Sequence, residues 1–118
     1  MNANEFRAEL VKIMPGYTWT VHKTPKGMTF LEATGIQSSG FNRLSTLSVI
    51  RRERDGTVSY EAKSAGYGRR AEWLHTNTDG TLARALRGLQ AHYEYTANTY
   101  RNHAAALQHG RQSEGGAA

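Results

Sequence analysis

The sequence predicts an α+β fold: an N-terminal helix, a four-stranded antiparallel meander and a long C-terminal helix, stacked as a two-layer sandwich. Three observations carry this. Apolar residues recur at steps of three and four near both ends of the chain. Alternating runs fill the middle. Asp55-Gly56, a dipeptide that favours a primed hairpin turn, separates the two clearest of those runs.

The first helix has a start and a stop signal. Asn2 and Glu5 have the spacing of a capping box. Phe6, Leu10, Ile13 and Met14 then form one apolar stripe. Pro15 disfavours helical geometry at the residue before it, and Gly16 lets the chain turn.

Strand signals follow. Tyr17, Trp19 and Val21 alternate with Thr18, Thr20 and His22. Thr24-Pro25-Lys26-Gly27 is a turn sequence. Met28 to Ile36 is expected to form the second strand, and Gln37 to Asn42 a loop. Arg43 to Arg54 and Thr57 to Tyr67 flank the Asp55-Gly56 turn. A primed turn sets Glu53 opposite Val58, Arg51 opposite Tyr60, Val49 opposite Ala62 and Leu47 opposite Ser64. Leu47, Val49, Val58, Tyr60 and Ala62 then share an apolar face. Arg52, Ser59, Glu61 and Lys63 share a mostly polar one.

Gly66 to Gly80 has little periodicity and is expected to be a connection, with Trp73 anchoring it to the core. The last helix spans about Thr81 to His109, capped by Thr78 or Asp79 and stopped at Gly110. Its stripe is Leu82, Leu86, Leu89, Tyr93, Ala97, Tyr100, Ala104 and Leu107. At about 1.5 Å per residue it is some 40 Å long, more than a small sheet can cover. Its second half is therefore expected to project, bend or pair with another subunit. Residues 1–110 form one domain, and 111–118 are small, polar and expected to be a disordered tail.

Composition bounds the function. The 118 residues suit one domain, and the absence of cysteine excludes disulfides, thiolate metal sites and cysteine nucleophiles. No apolar run resembling a secretory signal or a membrane span occurs, so a cytoplasmic location and no membrane partner are expected. Fifteen Lys and Arg, eleven of them Arg, face ten acids for a net charge of +5. That balance favours phosphate-rich or acidic partners.

Catalytic and metal motifs fail at identifiable residues. Gly35 to Gly40 has the glycine spacing of a phosphate-binding loop, but Phe41-Asn42 stands where Lys and Ser or Thr are needed. His92, His103 and His109 are too far apart in sequence to share an ion through local helical spacing, and the histidines are expected to be solvated. No Gly-x-Ser-x-Gly elbow is present. The expectation is a protein that is not an enzyme and needs no cofactor.

The basic residues are the clearest functional signal. Arg52 and Arg54 cluster at one hairpin end, with Lys63 on the same polar face as Arg52. Arg69 and Arg70 follow Tyr67 across a glycine turn, and Arg84 and Arg87 open the last helix. Such donors suit phosphates, and Tyr67 suits stacking on an unpaired base. The expected ligand is DNA, RNA or a nucleoprotein complex. The opposing expectation is that Arg51 packs its stem inward and the remaining charges form a solvated face.

Ser64-Ala65-Gly66-Tyr67-Gly68-Arg69-Arg70-Ala71 resembles the strand-to-helix junction of double-stranded RNA-binding domains. A fourth strand and Glu72 to Gly80 before the helix depart from that family, so neither its fold nor its binding sites carry over. A compact, cysteine-free chain with a small sheet and a long helix is also similar to accessory proteins of bacteriophages, anti-CRISPR proteins among them. That likeness implies an inhibitor that blocks a host defence complex by protein–protein contact, and it assigns no residue. Tyr95 and Tyr100 are the contacts it suggests on the last helix, and a homodimer through that helix is a further expectation.

Overall fold

The computed structural model describes residues 1–117, with side chains through Gln112. The order is α1 (Ala3–Ile13), β1 (Thr18–Val21), β2 (Phe30–Ser39), β3 (Asn42–Arg54), β4 (Thr57–Ala65), β5 (Trp73–Asp79) and α2 (Leu82–Ala117). The five strands form one antiparallel sheet in the order β1-β2-β3-β4-β5. The α+β class is as expected, but the sheet has one more strand than the four expected.

Local signals act where they were read. Asn2 Oδ1 accepts from the Glu5 N–H at 2.8 Å and Glu5 Oε1 accepts from the Asn2 N–H at 3.1 Å, which closes the capping box. Asp55 and Gly56 both have positive φ, 53° and 78°, as a primed turn requires. The β3–β4 register follows directly: Glu53 pairs with Val58, Arg51 with Tyr60, Val49 with Ala62 and Leu47 with Ser64.

Both helices lie on the apolar face of the sheet. Phe6 and Leu10 of α1 join Trp19, Ala33, Leu47, Val49, Tyr60, Ala62 and the α2 residues Leu82, Ala85, Leu86 and Leu89 in one core. α1 packs over β1 and β2, and α2 over β4 and β5. β3 lies between the two footprints. Among the described residues, no helix lies on the opposite sheet face.

The structure corrects several expectations. The stretch Gln37 to Asn42 is not a loop: β2 runs to Ser39, and only Gly40-Phe41 turns, with Gly40 at φ 60°. Gly35 is therefore a strand residue, paired with Trp19, and a Cβ on it would stand 2.7 Å from the indole ring. The phosphate-loop likeness of Gly35 to Gly40 was coincidental spacing.

The Gly66–Gly80 connection contains β5. Its half-buried positions, His75, Asn77 and Asp79, alternate with exposed Leu74, Thr76 and Thr78. Burial has the strand period but polarity does not, because this edge strand meets α2 through polar groups. Asn77 Nδ2 donates to the Ala85 carbonyl at 3.0 Å. His75 and His92 stack with centroids 3.5 Å apart and planes 5° apart, so these two are packed against each other rather than solvated.

Neither Thr78 nor Asp79 caps α2. Thr81 does, accepting from the Arg84 N–H at 3.2 Å through Oγ1. The helix also continues past Gly110 to Ala117, over most of 111–118, the stretch expected to be a disordered tail. Ala118 lies outside the described residues. No helix among the described residues is long and apolar enough to cross a membrane.

Candidate nucleic-acid interface

The helix-free face of the sheet is built from cross-strand rows. One row runs Thr20, Thr34, Ser48, Lys63, Thr76. The next, toward the β2–β3 turn, runs Thr18, Ile36, Thr46, Ala65 and, across a bulge, Trp73. Thr46 and Ser48, on the central strand, are buried although no helix covers them. The floor is thus low and hydroxyl-rich, and the reach is supplied by its edges.

The expected site residues divide into three groups. Lys63, Tyr67, Arg69 and Arg70 lie toward the end of the sheet where the β2–β3 turn meets the β4–β5 connection. The Gly68 N–H donates to the Arg43 carbonyl at 2.9 Å, and the Tyr67 hydroxyl donates to Asn42 Oδ1 at 2.9 Å. These bonds tie the glycine turn to the first residues of β3. Tyr67, Arg69 and Arg70 are exposed there.

Trp73 belongs to this group and corrects the expectation that it anchors the core. It is 47% exposed, and the Lys63 ammonium sits over its ring, 4.6 Å from the centroid. Attraction between a cation and the ring quadrupole holds such a pair. Phe41, fully exposed at the tip of the β2–β3 turn, and Arg43 complete the cluster. Three aromatic rings and four cations therefore share one end of the sheet. Glu72 is the acidic residue in that connection.

Arg52 and Arg54 form the second group, at the far end of β3. Eleven residues separate Arg54 from Arg43, roughly 35 Å at strand rise. Arg52 is engaged, donating to Glu61 Oε2 at 3.2 Å. A shallow depression lies beside it, lined by Arg52, Arg54, Asp55, Thr57 and Ser59.

Arg84 and Arg87 form the third group. Both are exposed on α2, in the helical layer, away from the helix-free face. One continuous surface does not unite the eight residues.

Arg51 is not part of the surface cluster. Its side chain is 13% exposed, and Nε donates to the Tyr60 hydroxyl at 3.2 Å. Burial works against its charge, but the hydrogen bonds and charges of Tyr60 and Glu53 outweigh it, so its pKa rises above the ordinary arginine value. Burial, with Glu9 nearby, likewise pushes the Tyr60 phenol up.

A second concavity opens on the helical side. It is a groove of about 880 Å³ over the strand left between α1 and α2. Ser45, Leu47 and Ser64 form its floor, Ile13, Met14 and Tyr17 one wall, and the α2 face from Ala83 to Ala97 the other. Tyr17 donates to Ser45 Oγ at 2.8 Å, and Tyr93 hydrogen-bonds Ser64, so the phenols are held against the floor.

Tyr67 and the arginines were visible in the sequence as a basic stretch. Phe41, Arg43 and Trp73 were not, because their placement depends on where β2 ends and on a strand whose polarity does not alternate. Trp73, Thr76 and Thr78, residue types enriched in strands, were the available signal for β5.

The chain matches no family model, no curated protein and no solved structure.

Proposed function

We propose that this protein is a non-catalytic module that binds single-stranded nucleic acid at the Phe41–Tyr67–Trp73 end of its sheet. One observation carries this reading: exposed aromatic rings and cations occur together on an edge that no helix covers. Unpaired bases offer π-faces to such rings regardless of sequence, and the backbone offers phosphates to the cations. Lys63, Arg69 and Arg70 supply the phosphate contacts, and Tyr67 and Trp73 supply the stacking groups. Arg52 and Arg54 extend the path along the same sheet. Arg84 and Arg87 lie in the other layer and are left out of it.

The reading is tested by anisotropy with a labelled single-stranded oligonucleotide at low salt. Binding should weaken steeply with salt, with a log–log slope of about −0.7 per phosphate neutralised. Trp73→Ala should lose about 1–3 kcal/mol of binding for one stacked base, roughly 5- to 150-fold in affinity. Arg69→Ser with Arg70→Ser should flatten the salt slope. Absence of binding to any single strand at low salt would sink the proposal. If a nuclease-resistant protein partner is then captured through the same surface, the blocking-protein alternative takes its place.

A further inference from the structure

α2 outruns the domain it belongs to. Its residues from Ala97 to Gln112 are all exposed, and the molecule extends 72 Å along its longest axis against 37 and 23 Å on the others. The exposed stretch keeps an apolar stripe of Ala97, Tyr100, Ala104 and Leu107, with Tyr100 70% and Leu107 60% exposed. It also contains Asn98, Thr99 and Asn102, which are weak helix formers. A helix of this length without tertiary packing is marginal in water. The stripe therefore calls for a surface to cover it.

The same molecule carries that surface. The α2 wall of the groove runs from Ala83 to Ala97, about 22 Å at 1.5 Å per residue, and the exposed stretch from Ala97 to Gln112 is about 24 Å long. The stripe is also self-complementary about a point between Thr96 and Ala97. An antiparallel second copy reversed through that point brings Leu107 level with Leu86, Ala104 with Leu89 and Tyr100 with Tyr93. Each pair is equidistant from the centre. Leu86 and Leu89 are already 8% and 3% exposed in the core, so they line the groove only at its edge, and the half-buried Tyr93 is the more open member of that wall. A two-fold interface requires the same patch on both copies, and this pattern meets that requirement.

We infer that the protein self-associates as an antiparallel dimer in which the exposed half of α2 from each copy seats over the α1–α2 groove of the other. With the dyad normal to the sheet, each partner helix lies beside α2 on its groove side, with its stripe turned toward the floor at Ser45 and Leu47. Both grooves and both exposed stripes are covered at once, so the assembly closes at two copies. The inference is independent of the nucleic-acid reading, because the groove and the Trp73 cluster lie on opposite layers.

Sedimentation over a wide concentration range tests it. The expected species has twice the 13.1 kDa chain mass. Tyr100→Asp with Leu107→Asp should raise the dissociation constant at least tenfold. Both side chains are exposed, so the dilute monomer should keep its melting curve. The chain has no cysteine, so single cysteines report geometry cleanly. Ala97→Cys, beside the dyad, should cross-link two copies on oxidation, whereas Gly110→Cys should not. A monomeric mass at every concentration overturns the inference. So does a dimer insensitive to the double substitution, or one that cross-links equally through Gly110→Cys, which would mean parallel helices. Saturable uptake of a fluorescent hydrophobe by a persistently monomeric chain would assign the groove to a small apolar ligand instead.

Discussion

The two halves of α2 share one apolar periodicity and have opposite fates. From Leu82 to Tyr93 the stripe enters the core: Leu82, Ala85, Leu86 and Leu89 are buried and Tyr93 reaches Ser64. From Ala97 onward the same spacing continues with nothing beneath it. An amphipathic pattern thus specifies a face that needs cover, but not which surface covers it. In the first half the sheet does. In the second half the sheet has ended.

Substitutions that act differently in the two halves sharpen this contrast. The largest effect is expected at Leu89, 3% exposed. Leu89→Ala should cost about 2–5 kcal/mol in denaturant unfolding, since a cavity remains where the side chain was. A cost below 1 kcal/mol would mean that the first half is not seated as described.

A glycine pair gives the next comparison. A Cβ on Gly88 would overlap the Asn77 side chain, which is bonded to the Ala85 carbonyl. Gly88→Ala should therefore destabilise the fold by about 1–3 kcal/mol through overpacking, despite alanine's higher helix propensity. Gly110 has open space around it. Gly110→Ala should leave the unfolding free energy of the dilute monomer unchanged within about 0.5 kcal/mol while raising helicity by circular dichroism, because no other part of the same chain packs there. Equal effects at the two glycines would erase the distinction between the halves.

The sheet shows a similar division between what was legible and what was not. The Asp55-Gly56 turn was fully readable, because two adjacent residues dictate positive φ and thereby the whole β3–β4 register. Gly40-Phe41 makes an equally tight turn but lies in a stretch of small polar residues that reads as a loop. β5 escaped because its inward positions, His75, Asn77 and Asp79, are polar; His75 and Asn77 meet α2 by stacking and hydrogen bonding. Losing β5 also lost Trp73 from the candidate site. It left Lys63 without its ring, and whether the basic residues share one surface was not legible: they occupy two ends of a strand and a separate layer.

By itself, then, the sequence determined the class of the fold, the first helix and its cap, the central hairpin with its register, and the basic excess. Each follows from interactions within a few residues or from a period along one element. The tertiary structure alone decided the fifth strand, the meeting of Phe41, Tyr67 and Trp73 with Lys63, and the groove between the helices. These depend on contacts between residues distant in the chain, where a side chain is defined by what lies across from it rather than by its neighbours in sequence. The second half of α2 belongs to both categories: its stripe is written in the sequence, but only the fold shows that no part of the chain's own core remains to receive it.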